Sequence, residues 1–155
     1  MKKVYSKIME AEPANPTIDM LADLLSGKYG ELSAITQYFF QYSMTSDVEL
    51  KKLFKEFMMD EMMHAELLAD AIIAFGGIPI LCNHVNKFFT TEYLDYSLNE
   101  RDFIVNDIKD EEISIKNYDA SIAKADNESL KKLLQEIRTD ELEHLTLLKA
   151  QLERF

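Results

Sequence analysis

An all-α four-helix bundle with one long crossover between its second and third helices is the fold class this sequence predicts, and three observations predict it. Only 4 Gly and 3 Pro occur in 155 residues, too few for the many turns of an all-β domain. Apolar side chains recur at helical spacing along four long segments. The chain also repeats itself. Residues 51–68, KKLFKEFMMDEMMHAELL, and 131–148, KKLLQEIRTDELEHLTLL, are identical at nine of 18 positions at a fixed offset of 80. The offset extends upstream, mapping Glu31 to Glu111, Ile35 to Ile115, Tyr38 to Tyr118 and Leu50 to Leu130. Each half reads Glu, seven residues to Tyr, then on to Glu-x-x-His, so the chain is two copies of a helix pair.

The helices follow in order. Asn15-Pro16-Thr17 offers a cap and a first-turn proline, opening helix A at about 17–45 behind an N-terminal extension, 1–16. Ser46-Asp47-Val48-Glu49 has the form of a capping box and opens helix B, about 46–76, which Gly76-Gly77 and Pro79 close. A second such pattern, Ser97-Leu98-Asn99-Glu100, opens helix C, about 98–124, and helix D runs from near Asp126-Asn127 to about 153. Turns A–B and C–D are short, so those helices pair antiparallel. The B–C link, about 77–96, is long enough to run the length of the bundle.

Charge narrows the partners. Asp and Glu number 28 against 17 Lys and Arg, a formal charge of −11, which repels nucleic acid and anionic membrane and attracts metal cations. The single cysteine, Cys82, excludes an intrachain disulfide and a cysteine-only metal knuckle. The opening Met1-Lys2-Lys3-Val4-Tyr5 lacks the apolar stretch of a signal peptide and no segment reaches membrane-spanning length, so the expected location is cytoplasmic.

Within the apolar seams stand six polar residues. Glu31 shares the seam of helix A with Leu24, Ile35, Tyr38 and Tyr42, and Glu61 and His64 share that of B with Phe54, Phe57 and Leu68. Glu111 sits among Ile104, Ile108, Ile115 and Tyr118 on C, and Glu141 and His144 among Leu134, Ile137 and Leu148 on D. Four carboxylates converging in one core are very costly unless cations compensate them. Two divalent cations cancel four carboxylates, and two neutral imidazoles complete the coordination without added charge. A Glu-x-x-His spacing puts both side chains on one helical face. One such motif alone is a weak indication; two, each paired with a seam-facing Glu 30 residues upstream, match the ligand set of two-metal carboxylate bundles. Tyr38 and Tyr118 can hydrogen-bond a ligand, donate an electron or simply pack. Asp60 and Asp140 can either hold a ligand histidine across the core or face solvent. Glu112, Cys82, His84 and Lys51, Lys52, Lys131 and Lys132 read as surface or loop.

The stretch Glu31-Leu32-Ser33-Ala34-Ile35-Thr36-Gln37-Tyr38-Phe39 closely resembles the first helix of bacterioferritins. Glu61-Met62-Met63-His64-Ala65 with the Phe75-Gly76-Gly77-Ile78-Pro79 helix end resembles their second, and Asp107 to Tyr118 and Asp140-Glu141-Leu142-Glu143-His144 their third and fourth. The resemblance spans about residues 18–152 and implies a ferritin-like bundle. It implies that Glu61 and Glu141 bridge two irons, that Glu31 and His64 complete one, and that Glu111 and His144 complete the other. It puts Tyr38 where the family has a tyrosine beside the site, and Met62 at the methionine that ligates haem across a two-fold dimer interface. The residues themselves read differently there: Met58, Met59, Met62 and Met63 form a soft patch outside the core, which fits a packing surface for a second copy of the chain. Two departures weigh against a closed cage, namely the chain ending 11 residues after His144 and a tight A–B turn. Ser114, one turn after Glu111, and the lack of a four-cysteine module separate the sequence from rubrerythrins.

The function expected is therefore ferroxidase-type oxidation of Fe(II) by O₂ or H₂O₂ in a homodimer or larger homo-oligomer, with Tyr38, Glu61 and Glu141 closest to the chemistry. Two alternatives stay open: a di-manganese or rubrerythrin-like enzyme that removes peroxide, and a non-catalytic iron-storage subunit.

Overall fold

A computed structural model of the chain describes residues 3–8 and 11–155. Met1, Lys2, Met9 and Glu10, part of the predicted extension and of the opening segment, lie outside the described residues. Among the described residues five α-helices form: α1 Asn15–Ser26, α2 Glu31–Met44, α3 Val48–Ala74, α4 Glu100–Lys124 and α5 Glu128–Leu152. The bundle is all-helical, and no strand forms among the described residues; one isolated bridge joins Cys82 and Phe88. None of these helices is long and apolar enough to cross a membrane.

Predicted helix A is two helices, which corrects the expected continuous span of 17–45. Two glycines within four residues weaken the helical state there. The chain instead leaves α1 at Gly27, whose N–H bonds the Asp23 carbonyl at 2.9 Å, and tightens so that Gly30 N–H meets the Gly27 carbonyl at 2.9 Å. A Cβ on Gly30 would lie 2.6 Å from the Leu24 carbonyl oxygen, so only glycine fits this close approach. The break makes Glu31 the first residue of α2, at the positive end of its macrodipole, where a carboxylate is stabilised.

The helix starts also differ from the capping boxes expected at Ser46 and Ser97. Asp47 caps α3 by accepting from Leu50 N–H, Asn99 caps α4 through Asp102 N–H, and Asn127 caps α5 through Leu130 N–H. Asp47, one residue beyond Ser46, and Asn99, two beyond Ser97, supply the cap oxygen at the helix start, leaving the serines outside. The duplication shows in three dimensions, because α3 and α5 begin 80 residues apart and α2 and α4 end 80 residues apart.

Helices α2 and α3 pack as one hairpin and α4 and α5 as another, with α1 against α3 and α3 touching α5. Just beyond α3 and its C-cap Phe75 stands Gly76, whose φ of 86° is left-handed and suits glycine after a helix C-terminus. The crossover that follows carries one 3₁₀ turn, Thr91–Tyr93, and is fastened to α2 by Gln37. The Gln37 amide donates to the Asp95 carbonyl at 2.8 Å and accepts from Asp95 N–H at 2.7 Å. Two apolar clusters fill the interior. One gathers Leu21, Leu24, Leu68, Leu130, Leu134, Ile137 and Tyr118, and the other Leu50, Phe54, Phe57, Phe103, Ile104, Leu148 and Tyr38. The six polar seam residues lie between them, tied to one cluster through Tyr118 and to the other through Tyr38.

Candidate metal centre

All six seam residues converge. Glu31, Glu61, His64, Glu111, Glu141 and His144 are each at most 4% exposed. Their ligand atoms fall into two groups, Glu31–Glu61–His64–Glu141 and Glu61–Glu111–Glu141–His144, with all the atoms of a group within 4.8 Å of one another. Glu61 and Glu141 belong to both. His64 Nδ1 lies 3.0 Å from Glu61, 3.1 Å from Glu141 and 3.6 Å from Glu31. His144 Nδ1 lies 3.1 Å from Glu61 and 3.8 Å from Glu111.

Several of these contacts are close without being aligned as hydrogen bonds. Among the described residues, Glu61 Oε1, Glu111 Oε2, Glu141 Oε1 and His144 Nδ1 have no hydrogen-bond partner. Fully buried polar atoms seldom go unpaired. The four orphans come from the four members of the second group, two of which also belong to the first, and their oxygen and nitrogen donors fit divalent cations.

The partners of these ligands come from the opposite half of the chain. Tyr38 hydroxyl donates to Glu111 Oε1, and Tyr118 hydroxyl to Glu31 Oε1. His64 Nε2 bonds Asp140 Oδ2 at 3.0 Å, and His144 Nε2 bonds Asp60 Oδ2 at 3.3 Å. The aspartates thus hold the histidines across the core, Asp140 nearly buried and Asp60 with a third of its side chain still exposed. Tyr38 also packs on Phe54 and Phe57, so its hydrogen bond and its packing coexist.

Electrostatics follow from burial and crowding. Burial and the Glu31 charge push Glu61 above the usual carboxylate range, and burial with Glu141 pushes Glu111 well above it. Burial alone would lower the histidines, but Asp140 and the surrounding glutamates hold His64 well above its ordinary value. For His144 the Glu61 charge and the Asp60 hydrogen bond also outweigh burial, raising it to about 10. Burial and the neighbouring glutamates keep both tyrosines protonated far into alkali. Without metal, the cluster is held together by imidazolium–carboxylate attraction.

Sequence reasoning missed the cover over the two aspartates. Lys3 Nζ lies 3.1 Å from Asp60 and 3.0 Å from Asp140, and Tyr5 hydroxyl donates to Asp140 Oδ2 at 2.7 Å. Ser6 fastens the segment by donating its N–H and hydroxyl to Glu136. These residues lie in an irregular strap without periodicity, so no pattern pointed to them. The methionine patch is smaller than expected. Met59 and Met62 are exposed and Met63 is partly buried, but Met58 packs against the Phe54–Phe57 cluster, because a residue directly after Phe57 still reaches that seam.

Residues 17–155 match the family model described as a ferritin-like domain. The chain belongs to the ferritin-like domain family. It is a distant homologue of bacterioferritin: it is 30% identical to the bacterioferritin of Brucella melitensis biotype 1 over 157 aligned positions, spanning 94% of this chain and 86% of that protein. Among solved ferritin-like structures, KatB, a manganese catalase from Anabaena, superposes with a TM-score of 0.89 over 99% of this chain and 79% of its own, at 21% identity. The bacterioferritin of Desulfovibrio desulfuricans, described with a diiron site, superposes with a TM-score of 0.73 over 89% of this chain and 78% of its own, at 25% identity. The chain is thus a ferritin-like protein with a buried glutamate–histidine cluster of the dinuclear type.

Proposed function

We propose that this protein is a ferroxidase-type oxidoreductase whose two iron positions are the two ligand groups. The observation that carries this reading is the sharing of Glu61 and Glu141 between two otherwise separate sets, each completed by one glutamate and one histidine Nδ1. Iron bound there supplies electrons, one from each Fe(II), to O₂ or H₂O₂. The chain supplies the remainder. Asp60 and Asp140 orient the imidazoles so that Nδ1 faces the site and raise their basicity. Tyr38 and Tyr118 hold Glu111 and Glu31 in place and keep a proton beside each carboxylate. The flanking apolar clusters limit access of water.

Anaerobic titration with Fe(II) is expected to saturate at about two ions per chain, followed on admitting air by a near-ultraviolet absorbance rise. Saturation at one ion, or no spectral change with either oxidant, would defeat the proposal. The manganese alternative draws support from the near-complete superposition on KatB and from the oxygen-rich donor set. Vigorous O₂ release from peroxide by manganese-loaded protein would favour it.

The same reading includes a homodimer joined through α3, where Met59 and Met62 are more than half exposed. Light scattering is expected to give at least twice the chain mass, and a Soret band abolished by Met62→Leu would place haem there. A monomer would remove both.

A further inference from the structure

A small cavity of about 40 Å³ adjoins the metal centre between α2, α4 and the crossover. Glu31, Glu111 and Glu141 line it, and so do Asp107, Asp110 and Lys28. Five acidic side chains against one ammonium give the passage an acidic, oxygen-rich lining, and clefts that carry one sign of charge concentrate the opposite ion. The volume suits an ion with a few waters. Tyr93 and Leu94 of the crossover also line this passage, beside the Gln37–Asp95 fastening.

Asp107 is the unexplained residue. It is 2% exposed and precedes Glu111 by one helical turn, so both carboxylates lie on one face of α4. Gln41 Nε2 donates to its Oδ1 at 2.7 Å, while its Oδ2 has no partner among the described residues. A buried carboxyl oxygen left unpaired is costly, by roughly 1–3 kcal/mol, and burial holds the Asp107 carboxyl well above the usual carboxylate range. The metal groups do not include Asp107.

We propose that Asp107 is a transit ligand for divalent cations, receiving them from the Asp110 side of the cavity and passing them to Glu111. This inference rests on the two-metal reading of the centre. Rapid mixing of metal-free protein with Co²⁺, followed by the visible absorption of bound cobalt, tests it. Asp107→Asn keeps the side-chain size and the acceptor for Gln41. It is expected to load Co²⁺ about tenfold more slowly, the low end of what a charged cleft contributes to an on-rate. Two Co²⁺ per chain should still bind at the end, and Asp107→Glu should recover most of the rate. Loading of Asp107→Asn at the wild-type rate would overturn the proposal. So would a final count below two, which would make Asp107 a resident ligand, or an Asp107→Glu variant as slow as Asp107→Asn, which would make it a packing residue. If wild-type protein bound no Co²⁺, the two-metal reading itself would fail.

Discussion

Glu61→Ala is expected to abolish metal binding at both positions, whereas Glu31→Ala should leave one position able to load. The asymmetry follows from geometry, since Glu61 contributes to both ligand groups and Glu31 to one. Removing Glu61 also strips His144 Nδ1 of a carboxylate 3.1 Å away and His64 Nδ1 of one 3.0 Å away. Ligand binding stabilises a fold by roughly 2.7 kcal/mol when free metal is a hundredfold above Kd, which for a domain of this size is a Tm rise of about 5–10 °C. Wild type should show that rise with Mn²⁺ or Co²⁺, Glu31→Ala a smaller one and Glu61→Ala none. Metal analysis of dialysed protein gives the counts directly. A full Tm rise in Glu61→Ala would mean that the metal acts elsewhere.

Loading should release protons, and its affinity should fall as the solution is acidified. A histidine binds metal as the neutral imidazole, yet both histidines are held protonated at neutral pH in the metal-free protein, His144 with a value of about 10. Each must lose a proton to bind, so apparent affinity should drop about tenfold per pH unit for each histidine proton displaced. The metal-free fold responds in the opposite sense. Because His144 is raised above its ordinary 6.5, the stability it contributes is fully present below pH 6.5 and is lost as pH climbs through about 10. Metal-loaded and metal-free protein should therefore diverge in stability most on the alkaline side. Calorimetric titration in two buffers of different ionisation enthalpy measures the protons, with at least two per filled centre expected at pH 7, one from each histidine and any further ones from the raised Glu111. Equal heats in both buffers would show that the histidines are neutral before metal arrives.

Much of this centre was legible because a duplicated sequence exposes what it repeats. Charged residues inside an apolar seam are anomalous once, and at an offset of 80 the anomaly recurs residue by residue, so convergence could be read before any coordinates. What remained hidden does not repeat. Gly27 and Gly30 have Asp107 and Asp110 as counterparts at that offset, so the break in the first helix, and the acidic turn that faces it across the cavity, belong to one half each. A propensity argument also tolerates two glycines in a long helix, whereas the carbonyl of Leu24 does not tolerate a side chain at position 30. Lys3 and Tyr5 act through contacts with residues far along the chain, which no local pattern encodes.

The reciprocity of the hydrogen bonds bears on ancestry. Each half gives the other a tyrosine for its glutamate and an aspartate for its histidine, so each hairpin depends on the other for these contacts. Two identical hairpins related by a two-fold axis would satisfy each other in every one of these contacts. That is the arrangement expected of a two-fold dimer of one hairpin with its two ions paired across the symmetry axis, here joined by the crossover into one chain. Fusion released the halves from having to stay identical. A single Lys3 now reaches both Asp60 and Asp140, and a helix break stands opposite an acidic turn. A symmetric ancestor would have had to place two lysines where one now sits, and its two ion positions could not have differed. The present chain is free to give them different affinities and different ways in.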